Sequence, residues 1–73
     1  MRTERLVSMA NDIGAFFNAD PDKAAAAKNI ASHLKRFRDP RMRRAIVAHH
    51  RDGGEGLDPV VYSAVELLAN QDR

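Results

Sequence analysis

Apolar residues recur every three or four positions in four separate segments of the chain. In the first segment, from about Thr3 to Asn18, the recurring residues are Leu6, Met9, Ile13, Phe16 and Phe17. The later segments run from about Pro21 to Phe37, Pro40 to His50 and Pro59 to Asn70. This spacing is typical of amphipathic α-helices, whereas strands alternate at every second position. The pattern therefore predicts an all-α fold, with one domain over residues 1–73 built as a compact bundle of four short helices.

An Asp-Pro pair precedes each of the three later helices. The pairs are Asp20-Pro21, Asp39-Pro40 and Asp58-Pro59. Aspartate at the N-cap accepts hydrogen bonds from the first helical turn, and proline suits the first helical position because its φ is already fixed. The pairs therefore predict helices that begin at each proline. Glycine is common just after a helix, so the cluster at residues 53–56 predicts the end of the third helix.

The fourth helix has an unusually wide apolar face. Its main stripe consists of Leu57, Val61, Val65 and Leu68, and its lateral extension consists of Val60, Ala64 and Leu67. Together they cover roughly 160° of the helix, against roughly 100° for an ordinary core-facing stripe. Either the whole face is buried in the bundle, or the lateral residues contact a partner. A 73-residue chain without cysteine has a core worth only roughly 3–5 kcal/mol, which favours a partner.

Positive charge is concentrated in the middle of a chain whose net charge is +2. Residues 33–51 contain seven lysines and arginines and a single acid, whereas residues 52–73 contain five acids and one base. Such a basic block predicts contact with nucleic acid, a phosphorylated cofactor or an acidic protein surface.

The candidate partner- or anion-binding site lies where this basic block begins the third helix. It comprises Phe37, Arg38, Asp39, Pro40, Arg41, Met42, Arg43 and Arg44. Cations at a helix N-terminus oppose the helix dipole, so helix stability does not explain the arginines. They suit bidentate contacts with carboxylates or a pyrophosphate. A solvated basic face and a DNA-binding helix–turn–helix are the alternatives, although the third helix has no Asn, Gln, Ser or Thr to read base edges.

Little in the sequence indicates catalysis or metal binding. There is no cysteine, no serine lies in a Gly-x-Ser-x-Gly elbow, and His33, His49 and His50 lack the i, i+4 spacing of helical zinc sites. We therefore expect neither an enzyme nor a catalytic, cofactor-binding or metal-binding residue. A signal peptide and a membrane span of about 20 apolar residues are also missing, which predicts a cytoplasmic protein.

Three segments give the chain a family resemblance. They are Arg5-Leu6-Val7-x-Met9-Ala10-Asn11-x-Ile13-Gly14-x-Phe16-Phe17, His33-Leu34-Lys35-Arg36-Phe37-x-Asp39-Pro40-Arg41-Met42-Arg43 and Gly53-Gly54-x-Gly56-Leu57-x-Pro59. They resemble the delta subunit of soluble, molybdenum-containing, NAD-dependent formate dehydrogenase, in which tryptophan usually stands at the position of Arg38.

The resemblance implies a non-catalytic accessory subunit that binds the catalytic (alpha) subunit and supports its assembly, cofactor insertion or stability. The implied complex carries a molybdenum pterin guanine dinucleotide, iron–sulfur clusters, FMN and NAD, none of which this chain is expected to bind alone. Self-association of the isolated chain remains open, because a small core favours any partner that covers apolar surface.

Overall fold

The computed structural model describes residues 3–36 and 40–71, which form four α-helices. The helices are α1 (Thr3–Phe17), α2 (Lys23–Lys35), α3 (Pro40–Arg51) and α4 (Pro59–Gln71). The all-α prediction is confirmed, and no strand occurs in this part of the chain. The Cα radius of gyration is 10.9 Å, close to the value of about 11 Å for a compact chain of this length.

The core lies between α2 and α4, the two helices that pack against each other most extensively. Its largest fully buried side chains are Ile30, Leu34, Ile46, Val61, Val65 and Leu68. Leu6 and Ala10 of α1 complete the cluster from a third side. The alanine-rich sequence of α2 allows close helix packing, because small side chains let the helix axes approach.

The start of α2 differs from the prediction. Its N-cap is Asp22, whose carboxylate accepts hydrogen bonds from the N–H groups of Ala24 and Ala25. The carboxylate of Asp20 instead accepts a bond of 2.9 Å from the backbone N–H of Asp22 and forms an Asx turn before the helix. The prediction of a helix that begins at Pro21 was therefore wrong, because both aspartates can cap and the second one does.

The other two predicted starts fall where the sequence placed them. Helix α3 begins at Pro40 and α4 at Pro59. The Asp58 carbonyl accepts the first helical bond, 2.8 Å from the Tyr62 N–H. The capping role predicted for Asp39 lies outside the described residues.

Glycines end α3 as predicted. The N–H of Gly54 donates to the His49 carbonyl at 2.9 Å, and that of Gly53 donates to the His50 carbonyl at 3.1 Å. This is the Schellman pattern of a helix C-terminus. It requires a left-handed backbone at the residue just after the C-cap, here Gly53, whose φ angle is +112°.

The linker between α3 and α4 is held against α1 by one side chain. The amide of Asn11 donates to the Gly56 carbonyl at 2.9 Å and accepts from the Asp58 N–H at 2.9 Å. On the other side of the linker, Nε2 of His49 donates to the Glu55 carbonyl at 2.7 Å. These three bonds fix the point from which α4 starts.

Helices α1 and α4 pack closely together at Gly14. A Cβ atom at this position would overlap Cγ2 of Val61, and Cδ1 of Ile30 lies 3.8 Å away. Glycine is therefore the residue that lets the backbone of α1 approach α4.

Candidate partner-binding surface

Five of the eight residues predicted as the partner- or anion-binding site lie in the described structure. Pro40, Arg41 and Arg44 are exposed, whereas Met42 and Arg43 are partly buried. Phe37, Arg38 and Asp39 lie outside the described residues.

Arg43 serves the fold directly. Its Nη1 donates to the carbonyl oxygen of Lys35 at 3.0 Å, and Lys35 is the last residue of α2. A cation beside the C-terminal carbonyls of a helix interacts favourably with the helix dipole. The position of Arg43 at the start of α3 is thus explained by its contact with the end of α2.

Arg44 makes a weaker internal contact. Its Nε lies 3.4 Å from the carbonyl oxygen of Pro40, one turn earlier in the same helix. A guanidinium group has five N–H donors in a planar fork. Among the described residues, only the Nε–H group of Arg44 has an acceptor. The side chain is exposed, so its outer edge faces solvent and can receive a carboxylate or a phosphate.

The exposed arginines of α3 form one continuous face. Past Pro40, the exposed residues of the helix are Arg41, Arg44, Ala48 and Arg51. Their spacing of three, four and three places them on one side of the helix, over about 15 Å at about 1.5 Å per residue. We call Arg41, Arg44 and Arg51 the arginine face.

Arg51 was not part of the predicted site, because the dense run of basic residues in the sequence ends at Arg44. The helical period could have identified it, because Arg51 follows Arg44 by seven residues and residues at that spacing lie on the same side of a helix. The candidate site, predicted at the start of the third helix, extends along one face of α3 to Arg51 when the helical period is followed. Lys35 and Arg36 lie near its start, because Arg43 joins the end of α2 to α3.

The predicted apolar partner face of α4 is corrected at one residue. Ala64 is fully buried within the chain, so it offers no surface to a partner. Val60 and Leu67 are partly buried and line a groove of about 680 Å³ with Ala24 and Ala27 of α2. Most of the wide apolar face is therefore buried in the core, and only Val60 and Leu67 lie at the surface, where they line the groove.

Within residues 3–36 and 40–71, no three histidine or acidic side chains are grouped as a metal ion would require. The ring of His50 packs on Tyr62 with centroids 4.4 Å apart, and both its nitrogens are buried without a described hydrogen-bond partner. Phe16 is 80% exposed. No described helix is both long and apolar enough to span a membrane.

The fold and its surface define a small four-helix protein that presents a basic helix face and an apolar groove. Comparison with protein families places it further: residues 5–65 match the model of the NADH-dependent formate dehydrogenase delta subunit, FdsD. The chain belongs to this family, and the resemblance stated from its motifs is confirmed. Searches of curated proteins and of solved structures gave no match.

The family match extends from α1 into the first half of α4, so it covers the arginine face and most of the groove, but not Glu66 and Leu67. A delta subunit belongs to a formate dehydrogenase complex, and association with other subunits follows from that. The arginine face and the groove are two exposed surfaces of the described structure through which such association could occur.

Proposed function

We propose that this chain is a non-catalytic accessory subunit that acts in the cytoplasm and binds the molybdenum-containing catalytic subunit of formate dehydrogenase. In this proposal it supports the assembly, cofactor insertion or stability of that subunit. Membership of the delta-subunit family carries the proposal. The arginine face supplies the contact, because guanidinium groups bind carboxylates in bidentate pairs.

The different positions of the arginines on α3 support a role for the arginine face in binding another molecule. Arg43, which the fold needs, is turned to the end of α2, while Arg44 and Arg51 are exposed on the outer side of α3. Arg44 and Arg51 lie about 10 Å apart along that side of the helix, so a single partner surface can contact both. An acidic surface of the catalytic subunit would satisfy them.

The cofactors of the complex belong, in this proposal, to the other subunits. Iron–sulfur clusters are held by cysteine thiolates, and this chain contains no cysteine. The molybdenum pterin guanine dinucleotide, FMN and NAD are likewise assigned to the partner subunits. The delta subunit would act on the catalytic subunit through its surface and take no part in electron transfer.

Co-expression of the two subunits tests the proposal. The catalytic subunit should co-purify with the wild-type chain, and the Arg44→Ala/Arg51→Ala variant should bind about tenfold or more weakly, since two charge-assisted contacts are lost. The Arg5→Glu variant lowers the net charge by the same two units at an exposed position on α1 and should bind normally. Full separation of the wild-type subunits at low salt would overturn the proposal.

Molybdenum content separates the forms of the role. If the delta subunit supports cofactor insertion, catalytic subunit made with the double variant should contain less molybdenum per polypeptide. Unchanged molybdenum with a lower melting temperature would indicate stabilisation alone. Duplex DNA binding that weakens steeply with salt would instead support the helix–turn–helix alternative.

A further inference from the structure

The groove between α2 and α4 continues along most of α2. Beyond the part that contains Val60, a second depression of about 390 Å³ is lined by Ala31, Ser32 and Lys35. The two depressions share Lys28 and Leu67, so they form one surface, which we call the α2–α4 groove. No residue of α3 lines it, and it is therefore distinct from the arginine face.

The two walls of the groove differ in shape. The α2 wall has small side chains, Ala24 and Ala27, whereas the α4 wall has the larger apolar residues Val60 and Leu67. One wall thus offers recesses and the other offers projections. Shape-complementary packing of apolar groups is the main source of stability in protein interfaces.

The two walls also differ in charge. Lys28 stands on the α2 wall and Glu66 on the α4 wall, and both side chains are exposed. No hydrogen bond or ion pair joins either of them to a residue of the described structure. The groove is therefore basic on its alanine side and acidic on its Val60–Leu67 side.

A two-fold axis along the groove brings unlike walls together. Rotation by 180° about that axis lays the α2 wall of one copy over the α4 wall of another. Because Lys28, Glu66, Ala24 and Val60 line the same depression, the rotation brings Lys28 towards Glu66 of the second copy and Val60 towards its Ala24. Each contact occurs twice, as in every isologous interface. A two-fold axis across the groove would instead oppose lysine to lysine.

We infer that the isolated chain forms a symmetric homodimer through the α2–α4 groove, held by its apolar walls and by two reciprocal Lys28–Glu66 pairs. A second copy is a suitable partner because it offers each wall of the groove both an apolar surface of the other shape and an opposite charge. This inference concerns the chain without its complex, and it stands or falls separately from binding of the catalytic subunit through α3.

Charge reversal gives a test with an internal rescue. The Lys28→Glu variant and the Glu66→Lys variant each place two like-charged pairs in the dimer. Each should raise the dissociation constant of the homodimer by about tenfold or more, measured by sedimentation equilibrium at low salt. In an equimolar mixture of the two variants, both pairs become attractive again, and native mass spectrometry should detect the heterodimer in preference to either homodimer.

Two controls make the result specific. Glu4→Lys reverses an exposed charge on α1 outside the groove and should leave dimer affinity unchanged. Helical circular dichroism and melting temperature should show that every variant is folded. A wild-type chain that stays monomeric at about millimolar concentration would overturn the inference. Unchanged affinity in the reversed variants, or failure of their mixture to pair, would do so equally.

Discussion

Replacing Gly14 by alanine tests how closely α1 and α4 pack. The new Cβ would overlap Cγ2 of Val61, a fully buried residue. Valine cannot readily turn its methyl group away, because one χ1 rotamer strongly predominates for a β-branched residue in a helix. The overlap must therefore be relieved by movement of one helix backbone against the other.

Two opposing terms decide the size of the effect. Alanine stabilises a helix relative to glycine by about 1 kcal/mol. Overpacking of a close-packed core costs about 1–3 kcal/mol, and the rigid partner favours the upper half of this range. We expect the Gly14→Ala variant to lose about 1–2 kcal/mol of unfolding free energy, which corresponds to about 4–8 °C in melting temperature for each kcal/mol in a domain of this size.

Urea titration followed by circular dichroism measures this difference, and two further variants apportion it. Ala15 is exposed in the same helix, so Ala15→Gly measures the helix-propensity term without the overlap. Val61→Ala alone should lose about 1.6 kcal/mol for two carbon groups at about 0.8 kcal/mol each, plus a cavity term. The Gly14→Ala/Val61→Ala double variant should be more stable than the sum predicts, by about 2–3 kcal/mol, because the overlap term is absent from it.

Either of two results would refute this reasoning. A Gly14→Ala variant more stable than the wild type would mean that helix propensity outweighs any steric conflict at the crossing. Additivity of the two substitutions would mean that Val61 is not the group with which the new Cβ collides.

Three further predictions test the polar contacts. Asn11→Ala removes both bonds to the linker and should destabilise by about 1–3 kcal/mol, with faster hydrogen exchange of the Asp58 amide as its specific sign. His50→Phe should stabilise by about 1 kcal/mol in thermal unfolding because it removes two buried unsatisfied nitrogens, whereas His49→Phe, which loses a bond, should destabilise; equal signs for the pair would contradict this. Arg43→Ala should lower the melting temperature by releasing the end of α2, and Arg43→Lys should partly restore it; no change in either would exclude the capping role.

The helices were largely predictable because their signals are local. Apolar period, proline at the first turn and glycine after the last turn act within a few residues, and they fixed the ends of α3 and α4 to within one residue. The start of α2 was predicted wrongly because Asp20 and Asp22 have identical capping chemistry. Only the path of the turn decides between them, and that path depends on how α1 and α2 pack.

The surfaces were less predictable because they depend on contacts between helices. Arg43 and Arg44 are adjacent arginines in the sequence, yet one closes α2 and the other faces solvent. Ala64 reads as part of a wide apolar face, but its neighbours in the bundle cover it completely. Gly14 carries no recognisable local signal, since its role depends on Val61, far along the chain.

The amide of Asn11 also bears on how the chain is made. Its two partners follow it by 45 and 47 residues, so the bonds cannot form until most of the polypeptide has left the ribosome. The nascent chain must carry α1 without its final neighbour, with apolar residues uncovered, while α2 and α3 are synthesised. Contacts so distant in sequence slow folding, and a stalled or truncated product that ends before residue 58 would lack this closure and be an early substrate for chaperones or proteases.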